Sequence, residues 1–577
     1  MKMRPGTQTG FLLCGKEWIE GETFEVRSPW DQGLVGRVTV ATRADARQAV
    51  NHAVASLRRT RALPRWKRRE ILEDVAAALI EQKERFAQLI VAEAGKPLRM
   101  ARAEVDRAVL TFKTAAEEAE RLGGESIPLD LTEGNEGRWG LVQRFPVGPV
   151  LAITPFNFPL NLVAHKLAPA IAAGCPVLLK PAPQTPFTAL ALGEVVLKAG
   201  WPQEALAVLP LSNADTAWLA EKEDRIKLVS FTGSAKVGWE LKIHSGRKRV
   251  LLELGGNAPL IVHGDWPDLD EAALRSAHSA FGFAGQSCVS LQRVFVERSI
   301  FQTYLWKVVE VTAKMATGDP TIEVTEVGPM IRPAEAERVG AWIREAVEGG
   351  AKLVAGGERN GSVITPAILT GTKPGMKIRD EEVFGPVLTI EPYEDFEQAL
   401  ADANHSKYGL QAGLLTRDAG RILTAYRELE VGALIVGDTP SWRLDPMPFG
   451  GVKDSGVGRE GIRSAINEMT EPRMLVMAGI SYGSESEIPL KATAGPSAAI
   501  GAKCAPISAQ DDSVFLMRTS DSGYRGGAPV GGKERGPGGP RYSRPGGRRY
   551  SSIETKLIRM AGRGRDRRAQ SAGSGPL

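Results

Sequence analysis

The spacing of apolar positions changes several times along the chain, and each change predicts a new kind of element. Residues 1–40 read as short strands and turns. From Arg43 to about Arg121 the apolar residues recur at helical spacing, as in Ile71, Val75 and Leu79 or Phe86, Leu89 and Ile90. Pro64 and the run Gly95-Lys96-Pro97 interrupt this pattern, so several helices are predicted. Their charged residues read as a solvated face without a catalytic role. Residues 124–146 predict a hairpin or protruding arm.

Short apolar runs then alternate with helical patterns. Predicted strands are Val150–Ile153, 177–179, 206–209, 226–231 and 249–252; predicted helices include 161–173, 215–221 and 235–244. Continuous apolar strands between helices imply a parallel sheet covered on both faces, with ligands at the carboxyl ends of its strands. A second α/β series runs from Ala258 to about Val436, with strands at 260–262, 293–296, 386–390 and 433–436 and a helix at 335–347. A glycine-rich loop, 448–458, precedes a short final helix. Beyond Ala478 apolar periodicity ends and Gly, Ser, Pro and Arg dominate, so 479–577 is expected to be a disordered tail.

Charge sharpens this division. The chain carries +5 overall, but residues 479–577 hold 16 Lys and Arg against 8 Asp and Glu. The tail is therefore +8 and the rest of the chain −3, so the body has no basic excess of the kind nucleic-acid binding requires. RNA contact is conceivable only through the Arg- and Gly-rich tail; a plain solvated segment is the favoured reading. Length allows more than one domain. The four cysteines are too scattered for a disulfide scaffold or a zinc motif, so no metal is expected and a reducing compartment is. No apolar run has signal-peptide or bilayer length, and a soluble cytoplasmic protein with no membrane partner is the expectation.

Candidate chemistry gathers at three stretches. Cys288, in Gly285-Gln286-Ser287-Cys288, has small or polar neighbours, as an approachable thiol needs; an unpaired cysteine is otherwise usually a small buried residue. Glu253 ends an apolar strand just before Leu254-Gly255-Gly256 and is a general base, or else an ion pair or cap. Asn157, in Thr154-Pro155-Phe156-Asn157-Phe158-Pro159, is an amide donor to an oxyanion or a turn residue. Gly233 and Ser234 follow a strand and open a helix, a place that favours phosphate, although a tight turn explains them equally well. Lys180 ends its strand and is either a donor to a ribose hydroxyl or an ordinary strand-end lysine.

In combination these motifs resemble the aldehyde dehydrogenase superfamily. The resemblance covers about residues 10–478 and also rests on Lys180-Pro181-Ala182, Phe231-Thr232-Gly233-Ser234, Glu382-Val383-Phe384-Gly385-Pro386 and Pro448-Phe449-Gly450-Gly451-Val452-Lys453. It implies an α/β fold with two doubly wound domains and a small β arm for oligomerisation. A dinucleotide-binding domain would span 1–122 and 147–252, a catalytic domain 253–445, and bridging elements 123–146 and 446–478. It implies Cys288 as nucleophile, Glu253 as general base and Asn157 as oxyanion donor. Thr154, Lys180, Gly233, Ser234, Glu382 and Phe384 would contact NAD or NADP. The family's acidic residue three positions after the lysine is replaced by Pro183, which removes repulsion of a 2′-phosphate, so NADP is expected to be accepted. The implied reaction is oxidation of a small aldehyde to a carboxylate through a cysteine thioester, in a homodimer or homotetramer. Similar enzymes act on short hydroxyaldehydes, lactaldehyde, succinate semialdehyde or glyceraldehyde 3-phosphate. The alternatives are a CoA-acylating dehydrogenase, whose members usually lack the base, and a non-catalytic member with an RNA-binding tail.

Overall fold

Strands buried on both faces organise the chain. In the computed structural model, which describes residues 8–478, every residue of Val150–Ile153 and of Val177–Lys180 is buried. These two strands lie at the centre of an eight-stranded sheet. Its parallel core runs, in spatial order, Arg249–Glu253, Leu228–Thr232, Val150–Ile153, Val177–Lys180 and Leu206–Val208. Strands Phe11–Leu13 and Lys16–Trp18 extend one edge antiparallel. Alternate side chains point to opposite faces. Val150, Ala152, Val177 and Leu179 therefore pack with the helices Arg65–Glu81, Leu98–Arg121, Asn161–Ala173 and Pro186–Lys198. Leu151, Ile153 and Leu178 pack with Arg43–Ala62, Asn213–Lys222 and Ala235–His244 on the other face.

The chain winds outward from Val150–Ile153 in one direction, then returns to place Leu228–Thr232 on its other side. The crevice between these two strands is the topological switch point, where doubly wound sheets receive ligands.

A second sheet has seven strands in the order Lys352–Ala355, Ala367–Thr370, Val387–Tyr393, Leu291–Glu297, Ala258–Val262, Gln411–Leu415 and Ala433–Val436. All neighbours are parallel except the Lys352–Ala355 edge. The fold is thus α/β with two helix-covered, mainly parallel sheets, as expected.

Several elements differ from the sequence reading. Ala367–Thr370 and Gln411–Leu415 were not predicted; the first is only four residues long, and the second carries Gln411 and Gly413 inside the core. Part of the glycine-rich loop forms strand Gly456–Val457, which pairs with Leu252 and Glu253 at the edge of the first sheet. The charges of the 43–121 stretch are not all solvated: Arg68, Glu93, Lys96 and Glu104 are buried.

The predicted arm is a three-stranded antiparallel sheet in which Trp139–Pro146 lies between Gly124–Pro128 and Thr470–Met477. Among the described residues no helix is long and apolar enough to cross a membrane. The expectations for 479–577 lie outside the described residues.

Candidate active site

The carboxyl ends of the first sheet's strands face segments that precede strands of the second. Between them is a cavity of about 1030 Å³. Thr154, Asn157, Lys180, Gly233, Ser234 and Glu253 reach it from the first sheet's strand ends, and Cys288, Glu382 and Phe384 from segments leading into the second. Every residue singled out from the sequence as a site candidate therefore lines one cavity.

The turn that presents Cys288 is unusual. Helix Leu269–Phe281 ends, and Phe283, Ala284 and Gly285 follow with φ of 52°, 52° and 67°. Left-handed backbone costs a non-glycine residue about 1–2 kcal/mol, so Phe283 and Ala284 are held there by their surroundings. At Gly285 a Cβ would also lie 2.1 Å from the Gly385 carbonyl oxygen, which leaves room for glycine alone. Gln286, fully buried, braces the turn: its Nε2 donates to the Phe283 and Pro329 carbonyls at 3.3 and 3.2 Å, and its Oε1 accepts from the Ile331 N–H at 2.8 Å.

Cys288 is half-buried, with its open face on the cavity. Burial pushes its thiol up to about 12; Arg443 pulls the other way, while the carboxylates of Glu382, Glu253 and Glu460 add to the rise. The resting sulfur is therefore a thiol. Asn157 is buried, and its Nδ2 donates to the Gln286 carbonyl at 3.0 Å, which ties the amide to the turn that presents Cys288.

Glu253 accepts from the Glu460 N–H at 3.2 Å through Oε1, while Oε2 is buried without a hydrogen-bond partner. Burial pushes this carboxyl well above its ordinary range and Glu460 repels its charged form; Arg443 and Lys166 oppose both. Glu460 goes the other way: against its burial, His165, Arg443 and Lys166 hold it low. Of the two neighbours Glu460 carries the charge and Glu253 binds its proton more tightly.

The sequence reading did not single out Arg107, Arg443, Asp445 or Glu460. Arg443 donates to Glu460 Oε1 at 2.6 Å and its guanidinium lies 3.7 Å from the centre of the Phe449 ring. Its Nε is buried without a partner, on a residue that lines the cavity. Asp445 accepts from Arg107 at 2.7 and 3.2 Å, from His165 Nε2 at 2.9 Å and from Asn161 Nδ2 at 3.0 Å. These donors hold its carboxyl well below the usual range despite its burial. Arg107 and Glu460 also line the cavity.

At the switch point the wall suits a dinucleotide. Burial alone pushes the Lys180 ammonium down to about 8, so no carboxylate offsets its desolvation. Thr232 Oγ1 is buried without a partner, and Ser234 opens the ten-residue helix Ala235–His244 with its hydroxyl unused as a cap. Glu382 accepts from the Gly256 N–H at 2.9 Å and burial pushes it up to about 7. Pro183 and Gln184 are on the wall, as are the carboxylates Glu221 and Glu240.

Known proteins share this fold. Residues 18–475 match the model of the aldehyde dehydrogenase family. A 3-sulfolactaldehyde dehydrogenase of Priestia megaterium is 44% identical over 471 residues, covering 82% of this chain and 98% of that protein. Aldehyde dehydrogenase 21 of Physcomitrella patens, solved in complex with the reaction product succinate, superposes with a TM-score of 0.81 at 40% identity over 83% of this chain and 100% of that one. The glyceraldehyde-3-phosphate dehydrogenase GapN of Methanocaldococcus jannaschii, complexed with NADP, gives 0.76 at 34% identity over 80% and 100%. The chain belongs to the aldehyde dehydrogenase family.

Proposed function

We propose that the protein oxidises a small anionic aldehyde to the carboxylate, with NAD or NADP, through a thioester on Cys288. The observation that carries the reaction type is the meeting of Cys288, Glu253 and Asn157 on one cavity. The observation that carries the substrate class is the pair of arginines that line the same cavity, Arg107 and Arg443, the second with its buried Nε unpartnered. Guanidinium groups beside a cavity favour an anionic substrate oxygen, to which they donate charge-assisted hydrogen bonds. Three similar proteins are named for or solved with an anionic compound, 3-sulfolactaldehyde, succinate or glyceraldehyde 3-phosphate, while others are named for lactaldehyde, which is neutral.

Lys180, Gly233 and Ser234 would hold the cofactor's ribose and pyrophosphate, and Thr154, Glu382 and Phe384 its nicotinamide end. When bound, the cofactor supplies the hydride acceptor. The protein's own steps follow from its geometry. Cys288 Sγ loses its proton, Glu253 being the nearby base, and attacks the aldehyde carbon. The Asn157 amide and the Cys288 backbone N–H donate to the oxygen that gains charge. Once that carbon is oxidised the acyl group is held on sulfur. Glu253 then takes a proton from water, whose oxygen attacks the thioester; the carboxylate leaves and the thiol re-forms. The base at position 253 favours hydrolysis over transfer to CoA.

Both cofactors are expected to serve, because Pro183 offers no charge against a 2′-phosphate. The arm sheet, with Met474, Leu475 and Val476 about half exposed, is the surface proposed for self-association into a dimer or tetramer. The first sheet with its helices, 1–122 and 147–252, would be the cofactor domain; 253–445 the catalytic domain; 123–146 and 446–478 the bridge.

The test is reduced-nicotinamide formation with paired aldehydes of equal length, one bearing a carboxylate, sulfonate or phosphate and one neutral. The anionic partner should give a kcat/KM at least tenfold higher. Equal values would remove the arginines from substrate recognition.

A further inference from the structure

Lys96 is among the largest fully buried side chains of the protein, and its charge has no obvious use in the reaction. It lies in the short link between helices Lys83–Ala94 and Leu98–Arg121. The link is pressed against the second sheet's side of the molecule. A Cβ on Gly95, whose φ is 65°, would come within 2.7 Å of Pro329, and the Leu98 N–H donates to the Pro320 carbonyl at 2.9 Å.

The ammonium makes three contacts. It pairs with Glu104, whose side chain is wholly buried. It lies 3.7 Å from the centre of the Phe158 ring and 4.6 Å from that of Phe283, and the two rings meet edge to face with centroids 6.5 Å apart. Buried cations over aromatic faces are attracted strongly because no water competes. The rings belong to different halves of the site. Phe158 follows Asn157, beyond a strand of the first sheet; Phe283 begins the left-handed turn that leads to Cys288. Glu104 reinforces the arrangement. Its other oxygen accepts from the Leu160 and Asn161 N–H groups at 2.9 and 3.1 Å, at the start of helix Asn161–Ala173.

We propose that Lys96 is a positioning residue: its ammonium, neutralised by Glu104, clamps the rings of Phe158 and Phe283 together and so fixes Asn157 opposite Cys288. The Asn157–Gln286 hydrogen bond ties the same two segments a few residues away. Without the clamp, the left-handed Phe283–Ala284 backbone is free to relax, and the oxyanion donor and the nucleophile lose their mutual register. Small misplacements of reacting groups cost large factors in rate. The inference rests on the roles proposed for Cys288 and Asn157.

The test is the double variant Lys96→Met/Glu104→Gln in the full-length protein. It removes both buried charges, while the introduced amide keeps an oxygen to accept from the helix N–H groups. Three quantities are read: NADP affinity by fluorescence, kcat and KM for the best aldehyde, and the rate of Cys288 alkylation by iodoacetamide. The expected result is cofactor affinity and KM within about threefold of the parent, with kcat at least tenfold lower. The alkylation rate should also change at least threefold, which reports the nucleophile turn whether or not the aldehyde reading holds. A folded variant with unchanged kcat and unchanged alkylation overturns the proposal. So does a loss of cofactor affinity as large as the loss of kcat, which is what general loosening produces. If the double variant does not fold, Phe283→Leu, which keeps an apolar side chain but removes the ring face, takes its place: kcat reduced threefold or more supports the clamp, and parent-like kcat and alkylation reject it.

Discussion

Replacing Glu253 with Gln is expected to slow the enzyme and stabilise it at the same time. Gln keeps the side-chain length and an oxygen to accept from the Glu460 N–H, now made at 3.2 Å, but it cannot take a proton. Loss of a general base typically removes a factor of about 100 to 10,000, or roughly 3–5 kcal/mol of barrier. That loss should fall mainly on thioester hydrolysis. Stability moves the other way. Burial and the Glu460 charge raise the Glu253 carboxyl above its unfolded value, so the folded state binds the proton more tightly. From an unfolded value near about 4.3 up to its folded value, each pH unit costs the native protein about 1.4 kcal/mol, a cost Gln does not bear. The variant's melting advantage should therefore widen as pH rises from 5 toward the folded value of the Glu253 carboxyl.

Stopped-flow absorbance should show a burst of about one reduced nicotinamide per site, followed by a slow steady rate. Intact mass should show the acyl group retained on Cys288. Steady turnover within tenfold of the parent and no burst would refute the role of Glu253. A melting advantage that shrinks with rising pH would refute its burial as the cause.

Other outcomes follow from the same cavity. Arg443→Leu should raise KM for anionic aldehydes by about 10- to 150-fold, the worth of a charge-assisted hydrogen bond, and leave neutral aldehydes within threefold; equal effects on both would contradict anion recognition. With the thiol near 12, iodoacetamide alkylation of the cofactor-free protein should keep rising with pH up to 10, and a plateau near pH 7 would show a thiolate already formed. Pro183→Glu should lower kcat/KM with NADP by tenfold or more while sparing NAD, measured side by side; an unchanged ratio would remove position 183 from cofactor choice.

Elements whose burial is nearly complete were legible in the sequence. Asn161–Ala173, buried throughout, has the predicted bounds, and Val150–Ile153 stands out as an unbroken apolar run; Ala235–His244 also has the predicted bounds although only Gly238 and Leu241 in it are buried. Gln411–Leu415 was not legible, because Gln411 and Gly413 break its apolar run; in the core the Gln411 Nε2 donates to the Pro440 carbonyl at 2.6 Å. The residues brought to the cavity by glycine- and proline-punctuated turns, Asn157, Gly233, Ser234 and Cys288, were visible because such turns leave a local signature. Lys96, Glu104 and Arg107 left none. A buried charge and a solvated one look alike in sequence, and the partner that marks Arg107 as special, Asp445, lies 338 positions away. Arg443 and Glu460 were hidden for the same reason: their meaning depends on Glu253, which only the folded chain brings beside them.

The central claim is a Cys288 thioester released by water. It is tested most directly by the rate of reduced-nicotinamide formation from the preferred aldehyde, for the parent protein and Cys288→Ala, each with and without CoA. Turnover without CoA in the parent, and none in Cys288→Ala under either condition, is the predicted result. Turnover that requires CoA, or that survives the loss of Cys288, would contradict it.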